Sequence, residues 1–190
     1  MTNSNYIKHQ TKSGKTIEVW DNLFTFAERS KMFASMRDIP FQFWSAYDTL
    51  ITDQASSFII KSVWRKEDFY NFDIFSSPGA EPLVSIFKNY SFQRAWVNLQ
   101  TPIDKLRYHS DMVEPNCKSM LIYLNLNWNK EWHSPTVFRS DDLSETEFIS
   151  DFVPGRVVVF DSDIPHKATQ APLESQQYRF TLNSVWKKVK

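Results

Sequence analysis

The sequence predicts a mainly β protein of the α+β kind, an antiparallel double-sheet jelly roll preceded by N-terminal supporting helices. Short runs rich in β-branched and aromatic residues follow one another at 95–100, 119–128, 136–138, 156–161 and 178–186. No helical periodicity separates them, and strands at such spacing form a sandwich or barrel. Helix signals are confined to the first 90 residues of the 190. The composition, 42% hydrophobic and 16% aromatic, supplies a real core and argues against disorder. The chain therefore reads as a single domain, 1–190, with an N-terminal α/β support at 1–90 and a jelly-roll core at 91–188.

Taken in order, residues 1–15 are polar and are expected to be loose at the tip. Thr16–Trp20 (TIEVW) has the β-branched and aromatic content of a short strand. After a turn at 21–23, Thr25 and Glu28 have the spacing of a capping box, with Thr25 as N-cap. The helix they open runs to about Met36, with Phe26, Phe33 and Met36 near one stripe, and Ile39-Pro40 stops it. A second helix is expected at 81–89, after the Ser-Ser-Pro-Gly break at 76–79. In the β half, Arg94, Trp96, Asn98 and Gln100 share one strand face suited to lining a pocket. Met120, Ile122, Leu124 and Leu126 form a wholly apolar face opposite Tyr123, Asn125 and Asn127. Pro154-Gly155 marks a turn into 156–161, Asp161 and Asp163 flank another, and Trp186 reads as core.

Composition also excludes. Lys plus Arg and Asp plus Glu are 22 each, so no basic excess points to nucleic acid. No apolar run approaches the ~18 residues of a membrane span, and the start, MTNSNYIKHQTKSGK, lacks the apolar stretch of a signal peptide. Cys117 is the only cysteine, which rules out an intramolecular disulfide and fits a reducing, cytoplasmic setting. Nothing in the sequence defines an oligomeric state.

Chemistry concentrates in His109-Ser110-Asp111, His166 and Arg179. Successive strand side chains alternate, so His109 and Asp111 project to one side while Ser110 turns away. Two imidazoles and a carboxylate are the facial set of mononuclear non-haem iron(II) sites, leaving half an octahedron open. Arg179 offers a planar guanidinium suited to bidentate carboxylate recognition, and Thr181, two residues on, faces the same way.

These residues sit in an ordered series: YHSD (108–111), LIYLNLNW (121–128), TVF (136–138), PGRVVVFDSDIPH (154–166), then YRFT and VW within 178–186. The series resembles the iron(II)/2-oxoglutarate-dependent dioxygenases, closest to their prolyl 4-hydroxylase-like branch, over roughly 94–186 and more loosely at 20–37. The resemblance implies a double-stranded β-helix in which His109, Asp111 and His166 hold Fe(II). It implies 2-oxoglutarate and dioxygen as co-substrates, with ascorbate as a candidate reductant. Arg179 would clamp the distal carboxylate of 2-oxoglutarate, with Tyr123, Thr181 and Thr136 beside it. The implied reaction couples decarboxylation to succinate and CO2 with hydroxylation of an unactivated C–H bond, and Asp111 argues against halogenation. Departures from the family are His133-Ser134-Pro135-Thr136 where Gly-Gly-Glu-Thr is usual, a spacing of 179 − 166 = 13 from His166 to Arg179, and Tyr108 directly before His109. His133 reads as loop surface, and Cys117 as an inert thiol. For substrate, peptidyl-proline comes first, and a free amino acid or small metabolite second, within a protein/peptide or small-molecule class. A non-catalytic jelly-roll metal-binding or structural protein is the rival of another class. A cupin-type metal enzyme is a third reading, and it leaves Arg179 and Thr181 without a role.

Overall fold

Alternating side chains in the β half sort apolar residues to both sides of one large sheet, and the site lies on its inner side. The computed structural model describes residues 5–36, 39–45, 58–102, 104 and 106–189. Strands β1 (Tyr6–Gln10) and β2 (Thr16–Trp20) form a hairpin, followed by α1 (Phe26–Met36), β3 (Gln42–Ser45), β4 (Phe58–Trp64), α2 (Lys66–Tyr70) and α3 (Glu81–Phe87). Next come β5 (Tyr90–Gln100), β6 (Cys117–Tyr123), β7 (Thr136–Arg139), β8 (Thr146–Ser150), β9 (Val157–Asp161), β10 (His166–Ala168) and β11 (Arg179–Lys188). Among the described residues the major sheet has the order β1-β2-β9-β6-β11-β5-β4-β3, and the minor sheet β10-β7-β8. All the pairings are antiparallel. The jelly-roll expectation holds, and the N-terminal strands extend the same major sheet at both of its edges.

Two cores follow from the alternation. Met120 and Ile122 of β6, Val157 and Val159 of β9, and Leu182 of β11 pack toward the helices against Met32, Met36, Leu83 and Phe87. Leu121, Tyr123, Val158 and Phe160 point the other way, into the space between the sheets, where they meet Phe138 and Ile164. With both faces covered, β6 and β9 read as continuous apolar runs rather than alternating ones. Trp186 is buried, with its ring centroid 4.9 Å from Phe87 and 5.5 Å from Phe75. Among the described residues no helix is long and apolar enough to cross a membrane.

Local signals hold where backbone chemistry decides. Glu28 Oε2 accepts from the Thr25 amide at 2.7 Å, and the Glu28 amide donates to Thr25 Oγ1 at 3.2 Å, closing the capping box. Gly155 takes φ +81°, as the Pro-Gly turn requires, and its amide donates to the Tyr123 carbonyl at 2.8 Å. Elsewhere tertiary context changes the picture. Residues 6–10, read from the sequence only as polar, form β1 because β2 offers them an edge; the tip expected to be loose, residues 1–4, lies outside the described set. Phe26 is exposed beneath Arg29, since the buried stripe of α1 runs through Met32 and Met36. The second helix ends at Phe87, and Tyr90 already begins β5. The strand expected to reach 128 stops at Tyr123, because the Asn125 side chain takes over the ladder. It accepts from the Phe180 amide at 2.8 Å and donates to the Tyr178 carbonyl at 2.8 Å.

Asp161 ties three strands together. Its carboxylate accepts from the Thr16 amide at 2.7 Å, from Thr16 Oγ1 at 3.0 Å and from Lys118 Nζ at 2.9 Å. Burial opposes its charge, but these donors outweigh burial and hold the carboxyl below the usual aspartate range. A depressed folded-state value contributes stability above the unfolded value of about 3.9 and loses it as pH falls further. Asp161→Asn should therefore cost about 2 kcal/mol in urea unfolding at pH 7. The gap between variant and wild type should close as the pH is lowered below about 3.9. A gap independent of pH would remove the charge of Asp161 from the account.

Candidate active site

The triad is assembled by a single bridge between two segments. The His109 amide donates to the His166 carbonyl at 3.1 Å, and the His166 amide returns the bond at 2.9 Å. Two residues on, the Asp111 amide donates to the Ser162 carbonyl at 2.9 Å, and Ser110 Oγ turns away to the Asp163 carbonyl at 3.0 Å. This pairing brings His109, Asp111 and His166 together, with one ligand atom of each within 4.8 Å of the others. His109 Nε2 stands 3.8 Å from Asp111 Oδ1, and His166 Nε2 stands 3.8 Å from Asp111 Oδ2. These gaps are too long for hydrogen bonds and suit groups that converge on a shared ion.

The imidazoles are oriented from behind. His166 Nδ1 lies 3.0 Å from the Ile164 carbonyl, and His109 Nδ1 lies 3.2 Å from that of Arg107. A carbonyl only accepts, so these contacts assign the proton to Nδ1 and leave each Nε2 lone pair for a metal. Burial depresses the pKa of His166 and the nearby His109 adds to this, while Asp111 opposes it, so the neutral ligating form prevails. Asp111 and His166 are buried, whereas the His109 side chain is 57% exposed, so the cluster opens toward solvent on the His109 side. The donor set fits Fe(II), as imidazole and carboxylate do generally. Cys117 lies outside the cluster, buried at the start of β6, with its thiol pushed up by burial.

Arg179 begins β11 and is only 3% exposed. Its Nη2 donates to Thr136 Oγ1 at 2.9 Å, Nε to the Ser134 carbonyl at 3.3 Å and Nη1 to Gln100 Oε1 at 3.4 Å. The guanidinium lies 5.0 Å from the Phe152 ring centroid and 5.3 Å from that of Tyr123. No carboxylate among the described residues pairs with it. Burial lowers its pKa to about 10, so it remains charged at neutral pH. Thr136 Oγ1 also accepts from the Tyr123 hydroxyl at 3.0 Å, which links two of the expected co-substrate residues to the arginine. Thr181 is buried on the same strand face, where its hydroxyl accepts from Asn183 Nδ2 at 3.3 Å rather than touching Arg179.

Strand β5 connects the two ends of the site. Arg94 Nη2 donates to the Asp111 carbonyl, and its guanidinium lies 5.4 Å from the Trp96 ring. At the other end Gln100 holds Arg179, and its own amide donates to the Thr169 carbonyl at 3.1 Å. The face 94–100 was read as pocket lining; its two ends anchor Asp111 and Arg179, a task of Arg94 and Gln100 that the sequence did not specify. Ser134 was missed. It sits in the loop that departs from the family pattern, at φ 61°, where its carbonyl faces Arg179 and its hydroxyl donates to the Thr169 carbonyl at 2.7 Å. Phe152 carried no sequence signal. His133, as expected, is exposed, with its carbonyl accepting from Trp128 Nε1 at 3.2 Å.

Comparison with solved structures places this architecture. A 2OG-Fe(II) oxygenase family oxidoreductase from Burkholderia pseudomallei superposes with a TM-score of 0.68 at 12% identity, covering 90% of this chain and 85% of that one. A Pseudomonas putida prolyl-4-hydroxylase gives a TM-score of 0.62 at 16% identity, covering 92% of each chain. A Trichoplax adhaerens prolyl hydroxylase, in complex with a hypoxia inducible factor oxygen degradation domain peptide fragment, gives 0.63 at 15% identity, covering 90% of this chain and 83% of that one. No family model and no curated protein matches the sequence. The chain has the fold of the 2-oxoglutarate/iron(II) oxygenases. Within that fold it is similar to prolyl hydroxylases along nearly its whole length.

Metal affinity tests the triad. Asp111→Ala should weaken Co(II) binding, followed by its visible absorption, by more than the roughly 10–100-fold that loss of an outer-shell contact costs. Arg94→Ala, which frees only the Asp111 carbonyl, should fall within that range. Wild-type affinity in Asp111→Ala would remove the carboxylate from the metal set.

Proposed function

We propose that this protein is an Fe(II)- and 2-oxoglutarate-dependent dioxygenase acting as a hydroxylase, with peptidyl-proline as its first-choice substrate. The observation that carries this reading is Arg179, a buried guanidinium with only neutral partners among the described residues, joined through β5 to an open two-histidine, one-carboxylate cluster. An unpaired buried charge costs several kcal/mol, and an anionic ligand offsets that cost. A cupin-type enzyme or a non-catalytic jelly roll needs the metal ligands at most, and gives the arginine nothing to hold.

In this reading His109, Asp111 and His166 hold the iron, and Arg179 receives the distal carboxylate of 2-oxoglutarate as a charge-assisted, two-pronged pair. Thr136 keeps the guanidinium plane in place and ties it to the Tyr123 hydroxyl. Thr181 lies buried on the same strand face. When bound, iron with 2-oxoglutarate and dioxygen supplies oxidative decarboxylation to succinate and CO2, coupled to hydroxylation of a substrate C–H bond. The protein's part is to orient its ligands, keep both imidazoles in the Nδ1-protonated form, and exclude water from the Arg179 end, where Phe152 and Tyr123 close over the charge.

Two of the solved structures with this fold are prolyl hydroxylases, one of them in complex with a peptide fragment, which ranks a prolyl peptide above a free amino acid or other small metabolite. The open His109 side of the cluster suits a large substrate. The single thiol, Cys117, fits a reducing, cytoplasmic setting, and ascorbate is the reductant to supply in assays.

Anaerobic titration of 2-oxoglutarate into the iron(II)-loaded protein should produce a weak, saturable visible charge-transfer band. Arg179→Ala should abolish the band while iron still binds. A band of unchanged affinity in that variant would take Arg179 out of the site, and no band in the wild type would overturn the dioxygenase reading.

A further inference from the structure

Acidic residues of the β7–β8 turn are already engaged. Lys15 Nζ lies 2.6 Å from Asp141 Oδ1, Lys12 pairs with Glu145, and Glu147 stands 3.8 Å from His9 Nε2. Asp142 folds back onto the Ser140 and Ser144 hydroxyls at 2.6 and 2.7 Å. The cations on the outer face of the same minor sheet have no acid partner among the described residues. Arg139 and Lys167 follow the inward-facing Phe138 and His166, so both point outward. They converge on the Tyr108 ring, with guanidinium carbon and Nζ 5.4 and 4.6 Å from its centroid. Both are half-buried, and neither has a carboxylate within ion-pair distance among the described residues. Arg139 donates only to the Thr146 hydroxyl, at 3.2 Å, and its buried Nε has no acceptor. The shared ring offsets each charge by about 0.5–1 kcal/mol, but it does not neutralise them, whereas an anion would stabilise both.

Beside this patch the sheet has a usable edge. His109 exchanges its main-chain bonds with His166, and the Asp111 amide turns to Ser162. In an antiparallel pair, the groups of the intervening residues then point away from the partner strand. Among the described residues the main-chain amides and carbonyls of Tyr108 and Ser110 have no partner. An extended peptide laid along this edge would alternate its side chains in the same way. Those on the His109 side face the metal cluster, and their immediate neighbours face Tyr108 and its two cations.

We propose that the free 108–110 edge, with Tyr108, Arg139 and Lys167 beside it, docks an extended polypeptide whose residues next to the target are acidic. Edge pairing favours a polypeptide over a nucleic acid, which has no strand to add. What happens to the target residue rests on the dioxygenase reading above, whereas the docking does not.

Two fluorescent peptides with one central proline, flanked by glutamates in the first and glutamines in the second, are titrated by anisotropy against the full chain loaded with iron(II) under nitrogen. The glutamate peptide should bind about tenfold tighter, and added salt should shrink the difference. The preference should fall to near parity in an Arg139→Gln/Lys167→Gln double variant, and by a smaller factor in Lys167→Gln alone. Arg139→Lys, which keeps the charge, should retain it. Equal affinity of the two peptides for the wild type, or a preference untouched in the double variant, would overturn the proposal. So would inorganic phosphate competing as well as the glutamate peptide, which would leave a bare anion site. The 2-oxoglutarate band, measured on the same preparations, keeps the outcomes apart. Its absence in the wild type defeats the dioxygenase reading without touching the anisotropy result, and its presence in the double variant reports an intact fold.

Discussion

Arg179 enters the space between the sheets from the middle of the major sheet, and among the described residues its hydrogen-bond partners are uncharged: a threonine hydroxyl, a main-chain carbonyl, a glutamine amide and the Tyr123 hydroxyl. Burial pulls its pKa to about 10, which still leaves it charged at neutral pH. Such a group is costly unless something larger holds its strand in place. That support is the position of β11, which pairs with β5 on one side and β6 on the other and buries Leu182, Val185 and Trp186. The protein therefore carries an uncompensated charge at a place its hydrophobic packing fixes. A ligand carboxylate at that place binds the folded state alone and stabilises it by mass action.

The same constraint explains why β5 is built as it is. Its outward row, Ala95 and Val97, is fully buried against the helices. Its inward row runs Arg94, Trp96, Asn98, Gln100. The first of these holds the main chain of Asp111 and the last holds Arg179. One regular strand thus sets the separation between Arg179 and the His109–Asp111–His166 cluster, which a loop would do less reproducibly. Trp96 and Asn98 lie between these two anchors on the same strand face.

How much of this was legible depends on what kind of physics set each residue. Alternation and ligand chemistry are local properties, so the His109/Asp111 pair, its partner His166 and the shared face of Arg179 and Thr181 could be read directly. The capping box at Thr25 and Glu28 and the Pro154-Gly155 turn were equally local. Strand β1 was not legible, because its sequence, YIKHQ, is polar and becomes a strand only when β2 presents an edge to it. Asn125 ended β6 early through side-chain bonds to residues more than fifty positions away. Ser134 and Phe152 reach Arg179 through loops whose course depends on the whole jelly roll. Ser134 in particular supplies a carbonyl, which any residue type carries, so its identity held no clue.

Net charge says nothing of how charge is distributed. Equal numbers of acids and bases gave no sign of a nucleic-acid partner, and the fold separates them. The β1–β2 hairpin carries Lys12 and Lys15 across to Glu145 and Asp141, which neutralises the β7–β8 turn. Arg139 and Lys167 are thereby deprived of the acids closest to them in sequence. The resulting positive patch lies one residue from His109 along one segment and one residue from His166 along the other. The sheet that points two imidazoles inward at the metal cluster necessarily points their neighbours outward, so the local sign of charge at the mouth of the site follows from the same alternation that builds it. The His109 side is also where the cluster is exposed and where, among the described residues, the minor sheet ends in an unpaired edge. Access, free main-chain groups and positive charge coincide there because all three are consequences of the single bridge between His109 and His166.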